Sequence, residues 1–278
     1  MSNLIAVVLL VLSQFAMAGP SRIVVGFPAG GAADSVARVI ASELGMVVEN
    51  RPGASSTIAA EFVARSKPDG KTLFFGTNTA MVAAPHYMPI RYDPATDFSP
   101  VCLVGEFDYA LLASLKSGAK TIEDIRTLAI TRGVLYGHSN SVAELAALQL
   151  LGGLRGLSVP YKGDDRAYVD LMAGDVTFMF SAGAAGRELA RAGRLVEIPY
   201  AMKLSAPAWA GLFAPAGAIP DSLPGDILRA LRSPAVVQEL ARLHFVPAWV
   251  GPSQFSEFMV AQRFLWRRLV EDGTIKMQ

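Results

Sequence analysis

One stretch near the start limits what this chain can become: Arg22-Ile23-Val24-Val25-Gly26-Phe27-Pro28-Ala29-Gly30-Gly31-Ala32-Ala33-Asp34. An apolar β-type run feeds a glycine-rich turn, which opens into a helical pattern with Val36, Ile40 and Leu44 on one face. Units of this kind wind into α/β sheets. The first-turn N–H groups of such a helix lack intrahelical acceptors and lie at the positive end of its dipole, so the junction suits an anion. Glycine lets those amides approach a ligand with no Cβ in the way. Read only as architecture, the same residues are a tight βα connection.

Ahead of it, residues 1–18 read as a Sec-type signal peptide. Residues 4–12 are almost wholly apolar, and Ala16-Met17-Ala18 supplies a small-x-small cleavage site, so the mature chain is expected to begin at Gly19. The apolar run is too short to span a bilayer. No cysteine stands at the cleavage site to carry a lipid, and the expected destination is a bacterial periplasm.

Charge and cysteine content then exclude several classes. The net charge is +1 and the signal carries no charged side chain, so there is no electrostatic case for nucleic acid or an anionic membrane. Cys102 is the only cysteine, which forbids an intrachain disulfide; its apolar neighbours read it as core. The three histidines, at 86, 138 and 244, are scattered, so neither a metal nor a cofactor is expected.

Short β-type runs alternate with helical patterns, which predicts an α/β fold of parallel sheets flanked by helices. Strands are expected at 23–26, 47–49 and 72–76, and a helix at 57–66. The extended stretch 101–113 carries the chain into a second domain, with strands ending near 137, 161 and 180 and helices after Thr121, from Val142 and at 167–172. Residues 212–214 return the chain, and helical patterns at 224–232, 234–243 and 253–271 pack back on the first domain. The domains are read as 19–104 with 216–278, and 105–215. Trp209, Trp249 and Trp266 are expected to pack at the return and the C-terminal helices.

The glycine-turn device recurs. Gly76-Thr77-Asn78-Thr79-Ala80 follows the third strand, and Gly137-His138-Ser139-Asn140-Ser141 follows a strand of the second domain. Ser141 and Glu144 match a capping box, with Ser141 as N-cap. Turns at the carboxyl ends of strands are where open α/β sheets bind ligands. Two enzymatic readings fit less well. His138-Ser139 resembles a G-x-S-x-G nucleophile elbow with Asp170 or Asp175 and His244 to follow, but the last glycine is Ser141. Glu49 ends the second strand like a ribose-binding acid, yet Gly26, Gly30 and Gly31 do not fit G-x-G-x-x-G. Lys162 and Arg38 are most simply solvated charges.

The ordered set of motifs is more specific than any single one. Val25-Gly26-Phe27-Pro28-Ala29-Gly30-Gly31-Ala32-Ala33-Asp34, Val48-Glu49-Asn50-Arg51-Pro52-Gly53-Ala54, Pro68-Asp69-Gly70-Lys71-Thr72-Leu73, Tyr92-Asp93-Pro94, Asp97-Phe98 and Val159-Pro160-Tyr161-Lys162-Gly163 stand in that order, within a likeness that spans nearly the whole mature chain. Together they resemble the Bug (TctC-type) solute-binding proteins of tripartite tricarboxylate transporters.

The resemblance implies a two-domain type-II periplasmic binding protein, a Venus flytrap with its ligand cleft between the domains and no enzymatic activity. It implies that Ala29, Gly30, Gly31, Ala32 and Asp34 line one wall beside Thr77 and Asn78, holding a carboxylate through amides and ordered waters. Ser139, Asn140 and Ser141 would contact the ligand from the second domain. Many relatives place an aspartate where this chain has Ser181. Its loss argues against amino acids and for di- or tricarboxylates or aromatic acids. The segments near 40–46 and 197–209 are shorter than in relatives. The implied partners are a small carboxylate and, transiently, transporter subunits, for a protein read as a monomer. A ligand-sensing co-receptor docking on a sensor kinase ectodomain, or a degenerate paralogue of the same fold, is the alternative. An exported serine hydrolase using Ser139 is the distant one.

Overall fold

The computed structural model describes residues 21–217 and 220–274, without the side chain of Trp249. The expected signal peptide and the side-chain packing expected of Trp249 lie outside the described residues.

Three strands open the first lobe: β1 (Arg22–Val25), followed by α1 (Ala32–Glu43); β2 (Val47–Asn50), followed by α2 (Thr57–Ala64); and β3 (Thr72–Thr77). A π turn, Thr79–Ala83, runs into the single helical turn α3 (Ala84–Tyr87), and β4 (Phe98–Phe107) follows. Ile23, Val24 and Val25 are fully buried, as is β3 throughout, because a parallel strand covered on both faces must be apolar at successive positions. The helix α1 buries Val36, Ala37, Ile40 and Ala41 against the sheet, the face expected from their spacing. Strand β2 lies at the edge, where Glu49 is held by Arg22 and Arg51, and the Arg51 guanidinium covers the Phe62 ring at 3.6 Å.

The stretch expected to cross between domains is two strands separated by a single residue. Asp108 follows β4, and β5 (Tyr109–Ala113) starts in the other sheet. The second lobe continues through α4 (Ile122–Thr131), β6 (Val134–His138), α5 (Ser141–Leu151), β7 (Gly156–Pro160), α6 (Asp164–Ala173), β8 (Phe178–Ala182), α7 (Ala185–Arg191) and β9 (Val196–Ile198). After residues 199–208 come β10 (Trp209–Pro215), α8 (Leu223–Arg232), α9 (Pro234–Arg242), β11 (Phe245–Val250) and α10 (Pro252–Glu271).

The six-stranded sheet has the order β11-β4-β10-β3-β1-β2 and the five-stranded sheet β7-β6-β8-β5-β9. The sheets are mixed rather than parallel as expected. β1 runs parallel to β2 and β3, but β10 is antiparallel to both β3 and β4, since it returns from the other lobe. β6 is likewise parallel to β7 and β8, with β5 antiparallel to β8. Each lobe therefore receives one antiparallel strand from the chain that links it to the other.

The strand Trp209–Pro215 corrects the expected boundary at 216. It belongs to the first sheet, so the chain has already returned by Trp209. Both β4 and β10 are fixed inside that sheet, which leaves Asp108 and residues 199–208 as the connections. Asp108 is held firmly: its N–H donates to the His244 carbonyl at 3.0 Å. Its own carbonyl and Oδ2 accept from the buried Arg187 at 3.1 and 2.8 Å. His244 stands just past the end of α9 in the left-handed region (φ 53°), its Nδ1 3.8 Å from Asp108 Oδ2. Cys102 lies in the first-lobe core as expected, and burial pushes its thiol up to about 12.

Candidate functional site

Between the two lobes lies a cavity of about 320 Å³, a size suited to a small organic molecule. One wall is the junction of β1 and α1. Gly30 is in the left-handed region (φ 85°), and Gly31 is the N-cap with no side-chain acceptor for the first-turn amides. Gly30, Gly31, Ala32 and Ala33 line the cavity, so the open end of α1 faces it.

Asp34 is placed elsewhere than expected. Its carboxylate is buried behind the turn, accepting from the Gly30 N–H at 2.8 Å, Arg38 Nε at 2.8 Å and Asn50 Nδ2 at 2.8 Å. Burial alone would raise its pKa, but the bonds from Arg38, Gly30 and Asn50 outweigh that and hold it below the usual carboxylate value. Asp34 shapes the turn and does not line the cavity. Arg38, read as a solvated charge, is half of that arrangement. Ala29 is exposed outside the cavity lining.

Beside this turn, Thr77 ends β3 and Asn78 begins the next helical turn. Both line the cavity and are only 5% and 3% exposed, yet Thr77 Oγ1 and Asn78 Nδ2 have no hydrogen-bond partner. Buried polar atoms are normally paired, so two orphans on one wall mark a place that awaits a ligand or its solvent.

The second lobe supplies the opposite wall. Ser139 and Asn140 line the cavity, but the expected capping box is displaced by one residue. Asn140 is the N-cap of α5, its Oδ1 accepting from Val142 N and Ala143 N at 3.1 and 3.0 Å and from the Tyr109 hydroxyl at 2.8 Å. Asn140 has extended backbone angles, whereas Ser141 is already helical and turns its hydroxyl to Thr79 Oγ1, 3.2 Å away in the first lobe. Ser141 is thus a buried contact between lobes outside the cavity lining.

Ser181 is also behind the wall. Its Oγ lies 2.5 Å from the Tyr168 hydroxyl and donates to Asp164 Oδ2 at 2.6 Å. Asp164 itself lines the cavity, as the first residue of α6. A carboxylate is therefore present next to position 181, on the first residue of α6 rather than at 181 itself. Burial pushes the Asp164 pKa upward, and nearby hydroxyls of Ser139 and Ser181 offset only part of that rise.

Aromatic and apolar groups complete the lining: Phe27, Phe107, Tyr109, Tyr168 and Trp209. Trp209 does stand at the domain return, but it also faces the cavity, its Nε1 donating to Gln262 at 3.3 Å. Trp266 is buried in the core near α10. The lobes touch around the cavity. A Cβ on Gly163 would meet Pro28 Cγ at 3.1 Å, and one on Gly183 would meet Ala32 Cβ at 2.9 Å. The mouth of the cavity stays open to solvent at Ala185, Glu188 and Arg242.

Sequence reasoning overlooked Asp164. A signal was present, because Tyr161-Lys162-Gly163-Asp164 is one more strand–glycine–helix junction, but Lys162 drew the attention and is exposed outside the cavity lining. No hydrolytic arrangement forms on Ser139. His138 Nε2 is 2.7 Å from Ser158 Oγ, Asp170 accepts from Tyr161 and pairs with Arg166, and His244 lies against Asp108. Among the described residues no His/Cys/Asp/Glu group suits a metal, and no helix is long and apolar enough to cross a membrane.

Comparison with known proteins agrees with this geometry. The profile of the family described as "Tripartite tricarboxylate transporter family receptor" (TctC) matches residues 31–200. Protein BugT of Bordetella pertussis (strain Tohama I) is 28% identical, the match covering 94% of this chain and 91% of BugT. Among solved structures, a periplasmic transporter superposes with a TM-score of 0.80 at 27% identity over 92% of this chain and 98% of that one. MatC from Rhodopseudomonas palustris with bound malate gives 0.78 at 27% identity, over 90% and 98%.

Proposed function

We propose, since this chain belongs to the tripartite tricarboxylate transporter receptor (TctC) family of solute-binding proteins, which are not enzymes, that it binds a small organic carboxylate in the periplasm and delivers it to a membrane transporter of that class. The observation that carries the reading is the first-lobe wall. The uncapped start of α1, Thr77 Oγ1 and Asn78 Nδ2 together leave donors without acceptors on one side of the cavity between the lobes. A ligand carboxylate satisfies them, in a place where charge-assisted hydrogen bonds are strong. The malate held by the structural neighbour MatC supports a guest of this chemistry and size.

Closure follows from the same contacts. A ligand that touches both walls favours the form in which Ser141 meets Thr79 and Gly183 meets Ala32, and it shifts the population toward that form. Motion would turn on Asp108 and on residues 199–208. An affinity around micromolar is expected, because a few amide and hydroxyl bonds must offset the ordering of two lobes.

A thermal-shift screen of the purified protein against di-, tri- and aromatic carboxylates, amino acids and neutral or cationic controls tests the reading. Ligand at a hundred times its dissociation constant adds about 2.7 kcal/mol, a plainly visible shift. Shifts confined to carboxylate-bearing compounds are expected. A shift with a sugar or a polyamine and none with any carboxylate would refute the reading.

A further inference from the structure

The cavity is polarised, and its polarity says more about the guest than its size does. On the first-lobe side the unsatisfied groups are donors: the first-turn amides of α1 and the orphaned amide nitrogen of Asn78, with the Thr77 hydroxyl beside them. Across the cavity from them, in the second-lobe lining, stands Asp164. The other charged side chains of the lining differ from it. Glu188 and Arg242 are exposed and occupied within their own helices, by Arg191 at 2.7 Å and Glu239 at 2.6 Å, and Asp165 is exposed. Among the described residues Asp164 makes no ion pair; Ser139, Ser181 and the Ala182 amide act on it, and its Oδ1 is buried without a well-formed hydrogen bond. His138 feels its charge, but burial drives that ring toward the neutral form.

A buried carboxylate with no counter-charge is costly, and it takes up a proton unless a cation or strong donor pairs with it. Its orientation is nonetheless fixed, through Ser181 Oγ at 2.6 Å and, behind that, the Tyr168 hydroxyl at 2.5 Å. This is an acceptor held in place and left to be matched by the guest.

We propose that Asp164 is the specificity-determining residue of the cleft, and that it receives an ammonium, or another strong hydrogen-bond donor, of a ligand whose carboxylate lies at the start of α1. The preferred class is amino acids and other amino-substituted carboxylates. Plain diacids would put a second carboxylate against Asp164. This inference rests on the carboxylate-binding reading and narrows it.

The test uses scaffolds that differ only by an amino group: aspartate against succinate, glutamate against glutarate, and 3-aminobenzoate against benzoate, each titrated calorimetrically into the purified protein and into Asp164→Asn. In the unaltered protein the amino member of the binding scaffold is expected to be favoured at least tenfold. Asp164→Asn, which keeps a partner for Ser181, should abolish that preference and leave the plain acid bound as well or better. Ser181→Ala, which frees the carboxylate to rotate, should shrink the preference without removing it. Plain acids binding as tightly as their amino partners would overturn the inference while leaving the carboxylate-binding reading intact, as would a preference that survives in Asp164→Asn. Silence of all six, together with silence of the wider carboxylate screen, would bring down both.

Discussion

Replacing Gly31 with valine separates binding from folding at the first-lobe wall. The backbone there has φ −73° and ψ 171°, an extended conformation open to any residue and favoured by β-branched ones. A Cβ at this position meets only the Pro28 carbonyl, at an ordinary 3.4 Å. Losing a tolerated N-cap glycine costs a few tenths of a kcal/mol to about 1. Restricting the unfolded chain returns about 0.4–1 kcal/mol. Stability should therefore move by less than about 1 kcal/mol, or a few degrees in Tm at most. Binding is another matter, because Gly31 lines the cavity at the open end of α1 and the valine methyls would stand where the ligand carboxylate must approach. Displacing two charge-assisted amide bonds, each worth about 1.5–3 kcal/mol, removes roughly 3–6 kcal/mol. At 1.4 kcal/mol per decade this is a loss of about a hundredfold or more. Calorimetric titration of Gly31→Val with the best ligand, alongside its melting curve, reads both quantities. An affinity within threefold of the parent in a protein of unchanged Tm would refute the anion-site argument.

Three further outcomes are expected. Asp34 has a folded-state pKa held below its unfolded value, so its contribution is fully present above about pH 4 and is lost as pH falls through the lowered value; Asp34→Asn should flatten the acid limb of a stability–pH curve measured by denaturant titration, and an unchanged limb would contradict its role. Arg187→Met removes the buried donor to the Asp108 carbonyl and leaves the Tyr109 carbonyl to Tyr200 alone, and should cost about 2–3 kcal/mol in urea unfolding; a loss under 1 kcal/mol would show that the crossing is held by other contacts. Trp209 faces the cavity while Trp266 lies in the core, so ligand should change tryptophan emission in the parent and leave Trp209→Phe nearly silent; a full-sized signal in that variant would place the reporter elsewhere.

What the sequence made legible was what is encoded locally. The β1–α1 junction combines an apolar run, glycines and an amphipathic helix within adjacent residues, and it folds as that pattern implies. The extended stretch 101–113 does carry the chain from the first sheet into the second, but its break into two strands at Asp108 has no local signal in the sequence. The misses are non-local. Strand β10 looks like any apolar run, and only its pairing with β3 and β4, more than a hundred residues earlier, places it in the first sheet. The edge strands β9 and β11 are short or broken by Pro247, and carry little periodicity. Asn140 and Ser141 are both competent N-caps, and the choice between them was decided by the Thr79 hydroxyl across the cleft. The substitution read at Ser181 as the loss of a carboxylate needed Asp164, seventeen residues upstream, to be seen folding against it.

The most direct test of the whole account is a crystal structure of the protein with the best ligand from the carboxylate screen. The account predicts the ligand carboxylate within hydrogen-bond distance of the Ala32 amide, Thr77 Oγ1 and Asn78 Nδ2, with a donor group turned toward Asp164. A ligand seated with its carboxylate away from the start of α1, or bound outside the cleft altogether, would contradict it.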